Sequence, residues 1–287
     1  MNTVKNENFK NYVLLQRIEL THSNVYYRLS EKIKNPENKA TLKLLSEQEI
    51  MDYDIWKSYT GIDVKPIKFF ELFYYLCSLI LGITFGVKFM EGGQDGLEEK
   101  LVKLMVKETD LHVILEHEQE QEEELLGIIN EERLNYVGSI VLGLNDALVE
   151  LTAMLSGITF ALHDSRTVIV TALITGVAAA FSMAGSEYLS SKADGAAKNA
   201  KISAIITGVA YMFTVIILLL PYMIFANLYI SLLFTIINAI LIILLFNFYI
   251  SVAKDLDFKK RFTEMLTISL GVSFISFLIG LLINKVF

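Results

Sequence analysis

The sequence contains very little cysteine, proline or tryptophan. Cys77 is the single cysteine among 287 residues, and there are three prolines and one tryptophan. A lone cysteine excludes a disulfide framework and a thiolate metal site. Pro36, Pro66 and Pro221 each mark a predicted break between helices. The polar N-terminus, residues 1–10, leads into no apolar signal-peptide core, so no secretory leader is expected.

Positive charge is also scarce in the first half of the chain. Residues 1–136 carry 16 Lys and Arg against 24 Asp and Glu, whereas residues 137–287 carry 9 against 8. An acidic half repels phosphates, which argues against nucleic acid as a partner, but it suits cations. The mean hydropathy is +0.47 and 53% of the residues are hydrophobic, which is too apolar for an ordinary soluble protein. The chain therefore divides into an acidic front half and an apolar back half.

The back half is predicted to cross a lipid bilayer five times. A spanning helix needs about 20 predominantly apolar residues. Five segments meet this requirement: 137–162, 167–190, 203–226, 228–250 and 264–284. Lys and Arg gather in the two loops at 192–201 and 254–261, which places these loops and the front half in the cytoplasm. The C-terminus is then expected outside, and the short loops favour a prokaryotic cell membrane.

Two carboxylates interrupt the first predicted span. Asp146 and Glu150 are four residues apart, so they share one face of a helix, and Met154 continues that face by one more turn. Met183 and Glu187 have the same spacing on the second span. An ionisable group in hydrocarbon costs several kcal/mol and by default indicates a functional site.

Carboxylate oxygens combined with thioethers suit a borderline transition-metal cation. The same carboxylates can take up protons when the metal leaves, which would couple the two flows. These five residues are therefore predicted to line a transport path. The alternative is that Met154 and Met183 only pack against their neighbours, and that Glu187 is an interfacial charge.

Four stretches of the first two spans resemble the vacuolar iron transporter family: 143–150, 155–159, 180–184 and 187–190. The resemblance implies a homodimer with five spans per chain that moves Fe²⁺ out of the cytoplasm against H⁺. It also implies that Asp146 and Met183 lie in the path. Eukaryotic members of the family have a carboxylate-rich insertion between the second and third spans, whereas the corresponding loop here, 192–201, is short.

The front half is predicted to be helical throughout, which makes the whole chain all-α. Apolar periodicity runs through 11–34, 39–59, 69–90 and 110–135, which predicts a four-helix bundle over residues 1–135, ahead of the membrane domain at 136–287. The last of these helices is expected to continue unbroken into the first span. The apolar run 72–87 falls short of a span. It is predicted to be a buried bundle helix or one lying against the membrane; as a sixth span it would put residues 1–68 outside.

The predicted bundle resembles the rubrerythrin-like, or ferritin-like, domain of membrane-bound ferritins. A di-iron bundle places Glu on two helices and Glu-x-x-His on the other two. The candidate metal ligands on these positions are Glu19, Glu49, Asp52, Glu91 and Glu118.

Several positions depart from the di-iron pattern. Asp52 and Gln121 stand where histidines are expected, and Gln94 stands in place of a glutamate. His112 and His117 fall off the ligand positions and are predicted to be surface residues. The departures argue against di-iron oxidation and leave open a looser metal-gathering role or an acidic bundle without metal.

The sequence thus favours a transporter, not an enzyme, that exports Fe²⁺ or Mn²⁺ by H⁺ antiport while the bundle gathers metal. No organic cofactor is expected. Two alternatives remain at this point. One is a membrane-anchored ferritin-like oxidase or peroxidase, and the other is a metal-binding scaffold without transport.

Overall fold

The computed structural model describes residues 2–93, 125–127, 129, 134, 136–162, 164–193 and 199–286. In these residues α-helix is the only extended regular structure, which confirms the all-α prediction. Contacts between Cα atoms divide the chain into a front unit, 1–132, and a back unit, 133–287. Each unit is described by itself below.

The front unit begins with three helices: α1 (Asn2–Lys32), α2 (Pro36–Thr60) and α3 (Lys68–Leu81). A further helical segment covers 83–93. The N-terminus of α2 is capped by Asn35, whose Oδ1 accepts hydrogen bonds from the backbone N–H groups of Glu37 and Asn38. Its C-terminus is Gly61, which adopts a φ of 67° as a left-handed cap.

Helices α1 and α2 pack closely along their length. Ser23 and Ser46 exchange hydrogen bonds across this contact, each hydroxyl donating to the other residue's carbonyl oxygen at 2.9 and 3.0 Å. Apolar side chains from α1, α2, α3 and the segment 83–93 form one buried cluster, which includes Tyr26, Leu45 and Met90. The cluster brings together α1, α2 and the segment 83–93, which carry the four predicted metal ligands that lie in the described residues.

The predicted continuous helix over 69–90 is wrong. The helix ends at Leu81, and Gly82 has a φ of 112° that L side chains rarely adopt. Helix then resumes at residue 83, and a Cβ on Gly86 would collide with Ser78. Apolar periodicity alone does not register such a break, because residues on both sides of Gly82 are apolar. The interrupted run 72–87 is not among the helices long and apolar enough to span a membrane in the described residues.

Most of the predicted fourth helix, 110–135, lies outside the described residues, as do Gln94, His112, His117, Glu118 and Gln121. The predicted unbroken passage into the first span is wrong. Ile129 is not helical, and Tyr136 forms a turn with φ −100° and ψ 1°. The first spanning helix therefore begins at Val137, as a separate element.

The back unit consists of five helices: α4 (Val137–Ala161), α5 (Ser165–Ala193), α6 (Ala200–Ile224), α7 (Leu228–Lys254) and α8 (Phe258–Val286). Each is long and apolar enough to cross a membrane, and they are the five such helices in the described part of the chain. The predicted number of spans is confirmed.

Helix α4 is central in the back unit, because it contacts α5, α6, α7 and α8. Glycines permit two of these contacts. A Cβ on Gly143 would collide with the backbone of Thr207 on α6, and one on Gly280 of α8 would collide with the backbone of Gly157. The α4–α8 contact also carries a hydrogen bond of 2.9 Å, from Ser273 Oγ to Thr152 Oγ1. This packing holds the polar face of α4 in a fixed orientation.

Candidate functional site

The carboxylates of α4 lie on a solvent-accessible face of the helix. Asp146 is partly buried and Glu150 is exposed. A shallow, open cleft of about 430 Å³ adjoins this face, and its lining residues all belong to α4: Gly138, Val141, Leu142, Asn145, Asp146 and Val149. An exposed carboxylate on a membrane-spanning helix needs water, a cation or another protein surface beside it.

Tyr211 on α6 contacts Glu150 and was not predicted from the sequence. Its side chain is fully buried, and its hydroxyl donates a 2.6 Å hydrogen bond to Glu150 Oε2. The sequence shows a tyrosine in the third span, and the hydroxyl of a buried tyrosine usually has a hydrogen-bond partner. The sequence does not say that α6, and not another helix, faces α4 at this level.

Glu187 links α4 to α5. Its Oε1 accepts hydrogen bonds from Ser139 Oγ at 2.9 Å and from Ser191 Oγ at 3.2 Å. Ser139 lies in the first turn of α4, so Glu187 stands beside the start of that helix. The carboxylate is therefore held by two hydroxyl donors while remaining partly accessible.

Met154 and Met183 are both partly buried, and both pack against the main apolar cluster of the back unit. These contacts are the ones expected of packing side chains. A role for either sulfur as a ligand stays a prediction.

The front unit contains a second candidate centre, formed by His22, Glu49 and Glu91. One ligand atom from each of the three lies within 4.8 Å of the others, and all three residues are buried. His22 Nδ1 is 3.5 Å from Glu91 Oε1 and 4.0 Å from Glu49 Oε1. The three residues come from α1, α2 and the segment 83–93, so three helices position the centre.

Aromatic side chains surround this centre. The hydroxyl of Tyr26 donates a 2.5 Å hydrogen bond to Glu91 Oε1. The ring of Tyr74 packs edge-on against His22, with centroids 6.1 Å apart. Burial, with the charge of Glu91 as the second cause, raises the pKa of the Tyr74 phenol. The acidic groups are thus enclosed in a largely apolar and aromatic environment.

Glu19 lies one turn before His22 on α1 and is 2% exposed. Its Oε1 accepts a 3.1 Å hydrogen bond from Trp56 Nε1, the only indole in the chain. Asp52, another predicted ligand, is partly exposed and is not part of the three-residue group. Of the five predicted front ligands, Glu49 and Glu91 are therefore brought together, while Glu118 lies outside the described residues.

His22 was missed by the sequence analysis, although a signal was present. Glu19 and His22 are three residues apart on α1 and form a Glu-x-x-His pattern, the spacing that puts two ligands on one helical face. The ferritin-like pattern places its histidines at the positions of Asp52 and Gln121. In this chain the histidine comes from the first helix.

The residues present fit a divalent cation. Two buried carboxylates and one imidazole nitrogen are common ligands of Fe²⁺, Mn²⁺ and Zn²⁺. Two buried carboxylates also require compensating positive charge, and a protonated imidazole carries only one such charge. A divalent ion bound by His22, Glu49 and Glu91 would supply more of it, with Glu19 one turn away.

A family model described as the VIT family, the vacuolar iron transporters, matches residues 137–203. The match covers α4, α5 and the first residues of α6, and it includes all five predicted path residues. No curated protein sequence and no solved structure is significantly similar to the chain. Together with five spanning helices, the match supports a multi-pass membrane protein of the metal-transporter type.

Proposed function

We propose that this protein exports Fe²⁺, or Mn²⁺, from the cytoplasm in exchange for protons, along the Asp146 and Glu150 face of α4. The observation that carries the proposal is a carboxylate pair on a membrane-spanning helix, inside the segment matched by the transporter family. A cation passing along this face would meet oxygen ligands of moderate strength, which also bind protons. The front unit would bind the same cation from the cytoplasm.

The surroundings of Glu150 support this assignment. Its carboxylate is exposed, yet it is oriented by the buried hydroxyl of Tyr211. Since hydrocarbon is a poor environment for such a group, the proposal includes a second copy of the chain against this face, as the family resemblance implies. Two facing copies would enclose a path lined by carboxylates from both.

The test is metal-driven proton flux in proteoliposomes containing the full chain. Asp146→Asn is expected to abolish coupled flux, and Met183→Ala to reduce it. Asp164→Asn and Met223→Ala are the matched controls, since both side chains are exposed and lie outside the proposed path. Unchanged flux in Asp146→Asn would refute the proposed path.

A second candidate function is favoured by one observation, the buried His22, Glu49 and Glu91 group. It supplies the histidine that the sequence pattern lacked, so a ferritin-like oxidase or peroxidase anchored by the spanning helices gains support. A bound metal ion would supply the redox chemistry. The protein's own groups would hold it, shield it from water and, through Tyr26, orient the Glu91 carboxylate.

The two candidates are separated by combining the flux assay with a turnover assay. An oxidase requires O₂- or peroxide-dependent turnover that Glu49→Ala abolishes and Asp146→Asn leaves intact. A transporter requires proton-coupled flux that Asp146→Asn abolishes. Metal binding without either activity would identify a scaffold and refute both.

A further inference from the structure

A second polar cleft lies in the back unit, between α4, α7 and α8. Its volume is about 530 Å³. The lining residues are Asn145, Asn247, Leu256, Asp257, Lys260, Arg261, Glu264, Met265 and Ile268. Asn145 is the one residue that also lines the cleft beside Asp146. The predicted transport path uses no residue of α7 or α8.

Two asparagines line this cleft, Asn145 on α4 and Asn247 on α7. Asn247 is 4% exposed, and its Nδ2 donates to Ile243 O at 2.7 Å and to Met265 Sδ at 3.5 Å. These two bonds fix the amide orientation and leave Oδ1 as an acceptor to which no described residue donates. Asn145 Oδ1 is a buried atom, and no described residue donates to it. A buried acceptor without a donor costs free energy, which a cation or a donor in the cleft would offset.

The charged side chains occupy the first turns of α8 and the residue before it. Asp257, Lys260, Arg261 and Glu264 carry two charges of each sign, so the rim is neutral overall. No ion pair within 4 Å joins these four side chains in the described structure. Glu264 is three or four residues further into α8 than the basic residues, so its carboxylate lies nearer to Met265, which Asn247 contacts.

We infer that this cleft is a binding site for a partly hydrated divalent cation of the Mn²⁺ and Fe²⁺ class. The ligands are the side-chain oxygens of Asn145, Asn247 and Glu264, which are the neutral and anionic oxygens that such cations accept. The Met265 thioether is a further neighbour. The site belongs to a single copy of the chain and does not depend on the proposed transport along α4. An anion held by Lys260 and Arg261 is the competing occupant, but it would leave the buried Asn145 oxygen without a donor.

The experiment measures Mn²⁺ binding to the purified full chain in nanodiscs, by equilibrium dialysis with manganese EPR as the readout. A Glu49→Gln, Asp146→Asn background removes the two sites proposed above, so failure here is distinct from failure there. In this background Glu264→Gln is expected to weaken Mn²⁺ binding about tenfold, the scale of losing one supporting group at a metal site. Arg261→Gln is expected to tighten binding, because it removes a positive charge from the rim.

Two further variants distinguish coordination from general charge. Lys259→Gln is the matched control for Arg261→Gln, since Lys259 is exposed in the same helical turn and does not line the cleft. It is expected to leave binding unchanged. Asn145→Ala removes an oxygen without changing the charge and is expected to weaken binding as much as Glu264→Gln.

The inference is overturned by any of three results. Binding that is absent, or unaffected by Glu264→Gln, would show that the cleft is only solvated. Mn²⁺ binding that Glu264→Gln weakens and Asn145→Ala leaves unchanged would show that the cation is attracted to surface charge and is not coordinated in the cleft. Binding of inorganic phosphate that Arg261→Gln abolishes would identify an anion site.

Discussion

Replacing Glu49 by glutamine tests whether this residue is a metal ligand or only the partner of His22 in a buried ion pair. Glu49 is 3% exposed and lies 4.0 Å from His22 Nδ1. If its role is an ion pair with His22, removing it breaks a buried pair and costs about 3–5 kcal/mol of stability without metal. If its role is to bind a cation beside Glu91, neutralising it relieves repulsion between buried carboxylates. The metal-free protein is then expected to be as stable as the wild type or more so.

The stabilisation of the protein by added metal is a second, independent measure of the role of Glu49. A cation at a hundredfold its Kd stabilises the wild type by about 2.7 kcal/mol, which is roughly 10 °C in Tm for a unit of this size. A hundredfold loss of affinity in Glu49→Gln lowers this stabilisation to about 0.4 kcal/mol, or roughly 1 °C. The predicted difference between the two proteins is therefore several times the usual error of a melting experiment.

The assay is thermal unfolding of the full chain, followed through Trp56 with and without Mn²⁺. Trp56 is the only tryptophan, it is 1% exposed and it hydrogen-bonds Glu19, so its emission reports the front unit alone. Glu47→Gln is the matched control, with the same charge change at an exposed position of α2. A Glu49→Gln protein that is strongly destabilised without metal, or that keeps the full response to Mn²⁺, would refute the metal-ligand assignment.

Three other changes have defined outcomes. Tyr211→Phe removes the hydrogen bond to the α4 carboxylate and is expected to lower metal-driven flux without lowering the Tm of the back unit; a fallen Tm would indicate a structural role only. Gly280→Ala is expected to destabilise the α4–α8 contact by about 1–3 kcal/mol in unfolding measurements, whereas Gly271→Ala, at an open position, is expected to have little effect. A hydrogen bond from Lys57 and the charge of Lys57 lower the pKa of Asp63. The stability that this carboxylate contributes is therefore present above its unfolded pKa of about 4 and is lost as pH falls through its pKa in the folded protein. Asp63→Asn is therefore expected to destabilise the protein slightly at pH 7 and not at low pH, measured as the urea midpoint of unfolding. An equal effect at both pH values would contradict a stabilising pair of Lys57 and Asp63.

The spanning helices could be predicted from the sequence because their signal is local. Twenty apolar residues define a span whatever surrounds them, and the carboxylates of α4 stand out against that background. The partners of those carboxylates could not be predicted in the same way. Tyr211 meets Glu150 because glycine at position 143 lets α6 approach α4, and this contact depends on which helices become neighbours. Helix order along the chain does not determine that arrangement.

The front unit shows a different limit. Its helical periodicity predicted α2 and the end of α1 closely, although α1 begins at Asn2 and not at residue 11. The periodicity did not register the break at Gly82, where apolar residues continue on both sides. The di-iron pattern specifies histidine on the second and fourth helices. His22 lies on the first, three residues after Glu19, with the same i, i+3 geometry. The Glu-x-x-His spacing is therefore a local signal of this ligand, whichever helix carries it.

The two candidate centres differ in the kind of binding they favour. The front group is buried, combines imidazole with carboxylates and is enclosed by aromatic rings, which are conditions for tight binding and slow release. The face of α4 has an exposed Glu150 and a partly buried Asp146, beside an open cleft. Conduction requires sites that bind well enough to admit an ion and weakly enough to release it. Under the proposed function, passage falls to α4 and retention to the front unit. Loss of the front group is then expected to change the metal concentration at which flux saturates more than the maximal flux.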